Sequence, residues 1–166
     1  ITASYGFFGM GFLLGGLSLG LMAADGKRKL QSQIHGLRLV NELSLYVGLF
    51  LLTIGIFLGA VWANESWGRY WGWDPKETWA LITMIVYAFV LHARFIRPLA
   101  TDYAFSVMAV FALASVLMTY FGVNYYLSGL HAYGGNGTPP GFSVLIVVFV
   151  LLLFLSWLAG YKRRTN

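Results

Sequence analysis

Tryptophan is concentrated in one short part of this chain. Five of the six tryptophans fall within 18 residues: Trp62, Trp67, Trp71, Trp73 and Trp79. An interfacial aromatic belt at the headgroup level of a membrane is one explanation, but a belt needs only one or two tryptophans at each helix end. Trp67 and Trp71 are four residues apart, so on one helical turn they would form a continuous aromatic face. Such a face suits a large planar apolar ligand that stacks on rings, and we name residues 62–79 the tryptophan segment.

The charged residues of this segment have two interpretations. Asp74 and Glu77 fit the start of a helix, because an acidic cap is followed by proline and, three residues after the cap, by glutamate. We therefore expect Asp74 and Glu77 mainly to begin a helix. Arg69 and Lys76 either pair with acidic neighbours such as Glu65 or Glu77, or bind the carboxylates of a ligand.

Two of the three histidines are candidate ligands for a metal or cofactor. His92 lies 14 residues after Thr78, where an apolar run begins, so a helix would place it roughly 21 Å from that point. An ionisable side chain at such a depth is a functional candidate, although a hydrogen-bonded packing histidine is the alternative. His131 lies in NYYLSGLHAYGG. A lone loop histidine is more often a solvated surface residue than a ligand, but the aromatic and glycine neighbours of His131 strengthen the ligand interpretation. His35 lies among basic residues and is expected to be solvated.

The composition shows what must position these side chains. Hydrophobic residues make up 58% of the chain and charged residues 10%, with a mean hydropathy of +0.71. A soluble domain of 166 residues could not cover that apolar surface, so lipid is the expected solvent. The chain has no cysteine, which excludes disulfides, thiolate metal sites and a cysteine nucleophile within it.

Five apolar runs predict an all-α, polytopic transmembrane helix bundle that forms a single membrane domain over residues 1–166. Each run is close to the ~20 residues that cross a ~30 Å hydrocarbon core. The runs are Ser4–Ala24, Val40–Ala63, Thr78–Phe95, Asp102–Val123 and Gly141–Tyr161. Small-residue pairs, which allow helices in lipid to approach closely, are predicted to pack at helix interfaces. They are Gly11/Gly15, Gly16/Gly20 and Gly55/Gly59.

The basic residues predict an orientation. Nine of the eleven Lys and Arg residues fall in Lys27–Arg38, in the Arg94–Arg97 turn or in Lys162–Arg164. Because basic loops stay on the cytoplasmic side, we expect those parts inside, and the tryptophan segment and a second loop, residues 124–140, outside. A nucleic-acid-binding protein would instead cluster its positive charge on one soluble face, so no nucleic-acid partner is expected.

The motifs resemble those of a known family. Trp67-Gly68-x-x-Trp71-x-Trp73-Asp74 resembles the WWD signature of the haem-handling proteins of cytochrome c maturation. WDPKETWALITMIVYAFVLHARF and YFGVNYYLSGLHAYG are similar to the CcsA/ResC branch, system II, including its fused CcsBA form. The resemblance extends over essentially the whole chain and is most specific at residues 59–95 and 120–134.

The resemblance implies a haem carrier and ligase in the cytoplasmic membrane, a component of a holocytochrome c synthase. It implies that haem b, as substrate, is carried outward, presented on the tryptophan segment and joined through its vinyl groups to the CxxCH cysteines of apocytochrome c. His131 would be an external axial ligand of the haem iron, and His92 a ligand within the membrane. Their partner histidines would precede Ile1, so the chain is expected to be the C-terminal part of a longer protein. A CcsB/ResB-like partner, or a fused N-terminal region, would complete it.

Two other functions remain open at this stage. One is a haem or small-molecule exporter without ligase activity. The other is a structural subunit of a respiratory membrane complex, in which the tryptophan segment contacts a partner protein.

Overall fold

The computed structural model describes residues 1–24, 29–127 and 142–165, and every regular element in these ranges is helical. The elements are α1 (Thr2–Ala24), α2 (Gln31–Trp67), α3 (Pro75–His92), α4 (Asp102–Leu117), α5 (Val123–Tyr126) and α6 (Phe142–Thr165). Two 3-10 turns, Ala93–Phe95 and Arg97–Leu99, lie between α3 and α4, and a π-helical segment, Met118–Gly122, joins α4 to α5.

Within the residues that the structure describes, five stretches are long and apolar enough to cross a membrane. They are Thr2–Ala24, Gln31–Trp67, Pro75–Phe95, Asp102–Tyr125 and Ser143–Arg163. The predicted all-α transmembrane bundle is therefore confirmed, and the chain is a multi-pass membrane protein.

Helix α2 is longer than the apolar run from which it was predicted. Its 37 residues extend ~55 Å, well beyond a ~30 Å hydrocarbon core. The prediction that Lys27–Arg38 forms one loop is wrong from Gln31 onward, because α2 already begins there. Gln31, His35 and Arg38 lie on one face of this added helix, and all three contact Asp102 at the start of α4. Contact with Asp102 stabilises the polar first turns of α2 as helix.

Helix α1 is central in the bundle, where it packs against α2, α4 and α6, while α3 packs against α2 and α4. Phe8 of α1 stacks on Tyr87 of α3 with 3.7 Å between ring centroids, and both side chains are fully buried. Leu45, Leu52 and other apolar side chains surround this pair and form the main core.

The predicted glycine contacts are confirmed in part. Gly11 lies against α2, and Gly15 lies against α4, where an added β-carbon would come within 3.1 Å of the Ser106 carbonyl oxygen. Gly55 lies against Ile1. Gly16, Gly20 and Gly59 face open space, so the prediction is wrong for them. The close approach of α1 to its neighbours therefore depends on Gly11 and Gly15.

Successive long helices alternate in direction, which gives the bundle two ends. One end contains the start of α1, the end of α2, the start of α3 and α5, and we name it the tryptophan end. There the Lys76 ammonium donates to Asn124 Oδ1 at 2.9 Å. The other end contains the start of α2, the end of α3, the start of α4 and the end of α6, and we name it the basic end. There Tyr103 of α4 donates its hydroxyl hydrogen to the Ser156 carbonyl of α6 at 3.0 Å.

Candidate functional site

The tryptophan segment is not one helical face. Helix α2 ends at Trp67, and Gly68 follows in the left-handed region with φ of 69°. Glycine adopts that conformation without the penalty a β-carbon brings, so it stops the helix. Trp71 lies in the irregular residues 68–74 that come next. The prediction that Trp67 and Trp71 share a helical turn is therefore wrong.

The rings of the segment form two edge-to-face pairs instead. Trp67 meets Trp62, one and a half turns earlier on α2, with 5.0 Å between ring centroids and 79° between ring planes. Trp71 meets Trp73 with 5.8 Å between centroids and 88° between planes. Trp62 and Trp73 are 54% and 70% exposed, so each pair presents a large ring on the surface of the described bundle.

Trp73 has a strained backbone. Its φ of 55° is the one positive value among the non-glycine residues that the structure describes. A bulky residue in this region is an outlier that costs of order 1–3 kcal/mol and persists where neighbouring contacts enforce it. Such strain is found mainly at functional positions.

The enforcing contacts come from the start of α3. Asp74 is the N-cap and accepts from the Lys76 backbone N–H at 3.0 Å. Glu77 Oε2 accepts from the backbone N–H groups of Gly72 and Asp74, at 2.8 and 3.2 Å. The expected role of Asp74 and Glu77 in starting a helix is confirmed. Their contacts also fix the backbone on both sides of Trp73.

The two basic residues of the segment have different surroundings. Lys76 is half-buried and bonds Asn124 across the α3–α5 contact. Arg69 is exposed, and its guanidinium occupies the space that a β-carbon on Gly72 would need. Among the described residues Arg69 forms no ion pair, so the predicted pairing with Glu65 or Glu77 is not found. The Arg69 guanidinium thus lies against Gly72, which separates Trp71 from Trp73 in sequence, and forms no ion pair with Glu65 or Glu77.

A cleft of about 190 Å³ opens beside these rings. Aromatic side chains from four parts of the chain line it: Tyr5 of α1, Trp62 of α2, Tyr70 and Trp71 of the irregular residues, and Tyr120 of the π-helical segment. Small residues of α2 also line it: Gly55, Gly59, Ala60 and Ala63. Small-molecule pockets are usually ~300–1,000 Å³, so this cleft alone is smaller than the site of a whole large planar molecule.

Tyr5, Tyr70 and Thr119 are among the lining residues that were not predicted as site residues. Tyr5 and Tyr70 gave no signal beyond being aromatic: Tyr5 reaches the cleft through the packing of α1, and Tyr70 precedes Trp71 directly in the chain. Thr119 enters the cleft from the π-helical segment, with its hydroxyl 3.0 Å from that of Thr83 and 3.2 Å from the Trp79 carbonyl oxygen. Helical segments of this kind occur often at functional sites.

His92 lies at the basic end, at the far end of α3 from the tryptophan segment. Its side chain is exposed on the described bundle, so it is not a packing histidine in this core. Its Nδ1 lies 2.7 Å from the Ala88 carbonyl oxygen, which can only accept a hydrogen bond. A hydrogen on Nδ1 satisfies this contact, and in the neutral imidazole with that tautomer the lone pair lies on Nε2.

The remaining predicted ligand, His131, lies outside the described residues, as does most of the predicted loop 124–140. The arrangement in which His131 and the tryptophan segment share one site is therefore not described. Asn124 contacts Lys76 of the tryptophan segment, so the length of chain from Asn124 to His131 limits how far His131 lies from that contact. His131 is seven residues beyond Asn124, and seven residues extend at most ~25 Å.

Comparison with known proteins identifies similar sequences over most of the chain. The sequence profile of the family described as cytochrome C assembly protein matches residues 1–131. Protein NrfI of Wolinella succinogenes is 54% identical over 142 residues, which are 84% of this chain and 16% of that protein. The cytochrome c biogenesis protein CcsA of Gloeobacter violaceus is 52% identical over 88 residues, 53% of this chain and 26% of that protein. The CcsA protein of Atropa belladonna is 44% identical over 132 residues, 79% of this chain and 42% of that protein. The chain thus spans less than half the length of each of these relatives.

Proposed function

Because the chain belongs to the cytochrome c assembly protein family, we propose that it presents haem at the tryptophan segment for covalent attachment to apocytochrome c. Its family serves cytochrome c biogenesis, and its five apolar helices are those of a multi-pass membrane protein. Haem is the substrate in this proposal. Apocytochrome c and the remainder of the longer protein, or a CcsB/ResB-like partner, are the expected partners.

The observation that carries the proposal is a tryptophan pair, half-buried Trp71 and exposed Trp73, on a backbone that is strained at Trp73. Trp71 and Trp73 meet edge to face, and Glu77 fixes the backbone on both sides of Trp73. A planar macrocycle gains contact with aromatic rings at little entropic cost when those rings are already ordered. The Arg69 guanidinium, beside the same residues, is suited to a haem propionate because arginine pairs well with carboxylates.

The reaction needs positioning more than it needs a catalytic side chain. A thioether forms when a substrate cysteine thiol adds across a haem vinyl group, so both reacting groups come from the two substrates. This cysteine-free chain can serve that step by holding the macrocycle in one orientation. Orientation of two reactants alone supplies a large part of many rate enhancements.

His92 supports a separate haem-binding position on the path toward the tryptophan end. Iron-binding histidines usually donate their second ring N–H to a carbonyl, and His92 does so to Ala88. Its Nε2 is then free to bind the iron from the surface of α3, where the upstream part of the protein would supply the opposite ligand. At the tryptophan end, we propose His131 as the corresponding ligand, since it is within ~25 Å of chain from Asn124.

The test uses the full-length protein expressed with a c-type cytochrome. Trp71→Ala is expected to lower both the haem that copurifies with the protein and the yield of holocytochrome. Trp71→Phe should retain more of both, because a flat ring is kept. Trp157→Ala is the control, since Trp157 is an exposed tryptophan of α6 outside the segment.

The outcomes separate the proposed function from its alternatives. Equal haem and holocytochrome in the Trp71→Ala and Trp157→Ala proteins would contradict the proposal. Haem-loaded protein without covalent product, with haem appearing outside, would identify an exporter. Wild-type protein with no haem absorbance would identify a structural subunit.

A further inference from the structure

A second cavity, of about 650 Å³, lies at the basic end, where α1, α2, α4 and α6 meet. Three cationic side chains line it: Arg38 from α2, and Lys162 and Arg163 from α6. Asp102 is the one carboxylate among the described lining residues. Leaving His35 out of the count, the described lining therefore has three cationic side chains and one anionic side chain. None of these residues belongs to the tryptophan segment.

The positive charge is only partly neutralised. Asp102 accepts from Arg38 at 2.9 Å, and also from Gln31 at 3.3 Å. Arg38 Nε is buried and has no hydrogen-bond partner among the described residues. Arg163 contacts neutral groups, donating to the Thr101 hydroxyl at 3.3 Å and lying 5.7 Å from the Tyr103 ring centroid. A single carboxylate thus leaves both guanidiniums able to attract an anion.

The cavity lies where the hydrocarbon core of a membrane meets the headgroups. Arg38 precedes the apolar run of α2 by two residues, Asp102 begins one membrane-crossing stretch, and Arg163 ends another. Residues at the ends of membrane-crossing helices lie at headgroup depth. Phosphate groups of phospholipids lie at the same level. Arginine binds phosphate oxygens through two parallel N–H bonds, and basic pockets between transmembrane helices bind anionic headgroups.

We propose that this cavity binds a phosphate group and that an anionic phospholipid headgroup supplies it. Free inorganic phosphate shares the chemistry. Depth and volume favour the lipid, because the cavity is much larger than one phosphate and lies at the interface. Arg38 and Arg163 contact the phosphate oxygens, and the Thr101 hydroxyl lies beside Arg163 as an additional donor. The proposal does not depend on haem binding, since neither His92 nor any residue of the tryptophan segment lines this cavity.

The experiment measures phospholipid binding to the delipidated full-length protein by native mass spectrometry. Phosphatidylglycerol is compared with phosphatidylcholine of the same acyl chains, and inorganic phosphate is added as a competitor. We expect preferential binding of phosphatidylglycerol that millimolar phosphate does not displace. Arg163→Gln should weaken that binding about fivefold, since each basic residue near an anionic membrane surface contributes ~1 kcal/mol.

Two further variants make the result specific. Asp102→Asn keeps an oxygen acceptor for Arg38 and removes the one described carboxylate, so phosphatidylglycerol should bind more tightly. A fold disrupted by the substitution would not bind more tightly. Arg97→Gln removes an exposed charge of the same end that does not line the cavity, and it should leave the affinity unchanged.

Three results would overturn the inference. They are equal binding of the two lipids, equal losses in Arg97→Gln and Arg163→Gln, and weaker binding in Asp102→Asn. Full displacement by inorganic phosphate would overturn the assignment to lipid. Haem content is recorded in the same samples, so a failure here is distinguishable from a failure of the proposed haem site.

Discussion

At the centre of the tryptophan segment, Trp73 combines an exposed ring with a backbone conformation that bulky residues seldom adopt. Asparagine tolerates this conformation far better, because its short polar side chain can hydrogen-bond locally. We predict that Trp73→Asn leaves the full-length protein as stable as the wild type or more stable, while its haem content falls. Thermal unfolding in detergent and haem absorbance measure the two effects. Trp73→Phe is the control, since it keeps both the strain and a ring. A large loss of stability in Trp73→Asn would show that the ring mainly serves packing.

His92 allows a second prediction at this scale. His92→Ala in the full-length protein should remove a large part of the bound haem, and added imidazole should partly restore it by filling the vacant position on the iron. His35→Ala is the matched control, because His35 is also an exposed histidine near the basic end. Unchanged haem content and an unchanged absorbance spectrum in His92→Ala would assign His92 a role outside haem binding.

Among the elements, the start of α3 determines the shape of the site. Glu77 accepts from two backbone N–H groups, so Glu77→Ala leaves both without their acceptor. We expect the free energy of unfolding to fall by about 1–2 kcal/mol, the usual range for losing a helix cap. Faster hydrogen exchange at Gly72 and Asp74 should accompany it. Glu77→Gln, which retains an acceptor oxygen, should be milder, and exposed Glu65→Ala should have little effect. Equal losses in the Glu65 and Glu77 variants would contradict this role.

The end of α2 shows where reasoning from spacing fails for an element. A separation of four residues places Trp67 and Trp71 on one face only while a helix continues through both. Gly68 ends that helix in the left-handed region, so the two rings join different pairs. The start of α3 was predictable because acid, proline and glutamate interact within four residues. The early start of α2 was not, since Gln31, His35 and Arg38 depend on Asp102, more than 60 residues away.

For the whole molecule, the excess of Lys and Arg residues at the basic end predicts that this end faces the cytoplasm and that the tryptophan end faces outside. Because these 166 residues contain no cysteine, one cysteine introduced at an exposed position of either end is the single labelling site within them. We expect Ser66→Cys to react with an impermeant thiol reagent added outside intact cells, and Gln33→Cys to react only after the membrane is opened. Labelling of Ser66→Cys from the cytoplasmic side alone would reverse the proposed orientation and the direction of haem delivery.

The sequence by itself determined the membrane class, the five crossing helices, the capped start of α3 and the cluster of tryptophans. Each depends on composition or on residues a few positions apart, which interact in any fold that keeps the helices. Tertiary structure decided which side chains meet in the cleft, because Tyr5 and Thr119 reach Trp71 only through the packing of α1 and α4. It also decided the Lys76–Asn124 bond, across 48 residues, and the basic cavity, where Arg38 and Asp102 are 64 residues apart. Local patterns do not specify which residues meet across helices: the spacing predicted that Gly11 and Gly15 pack, but their partners on α2 and α4 depend on how the helices are arranged.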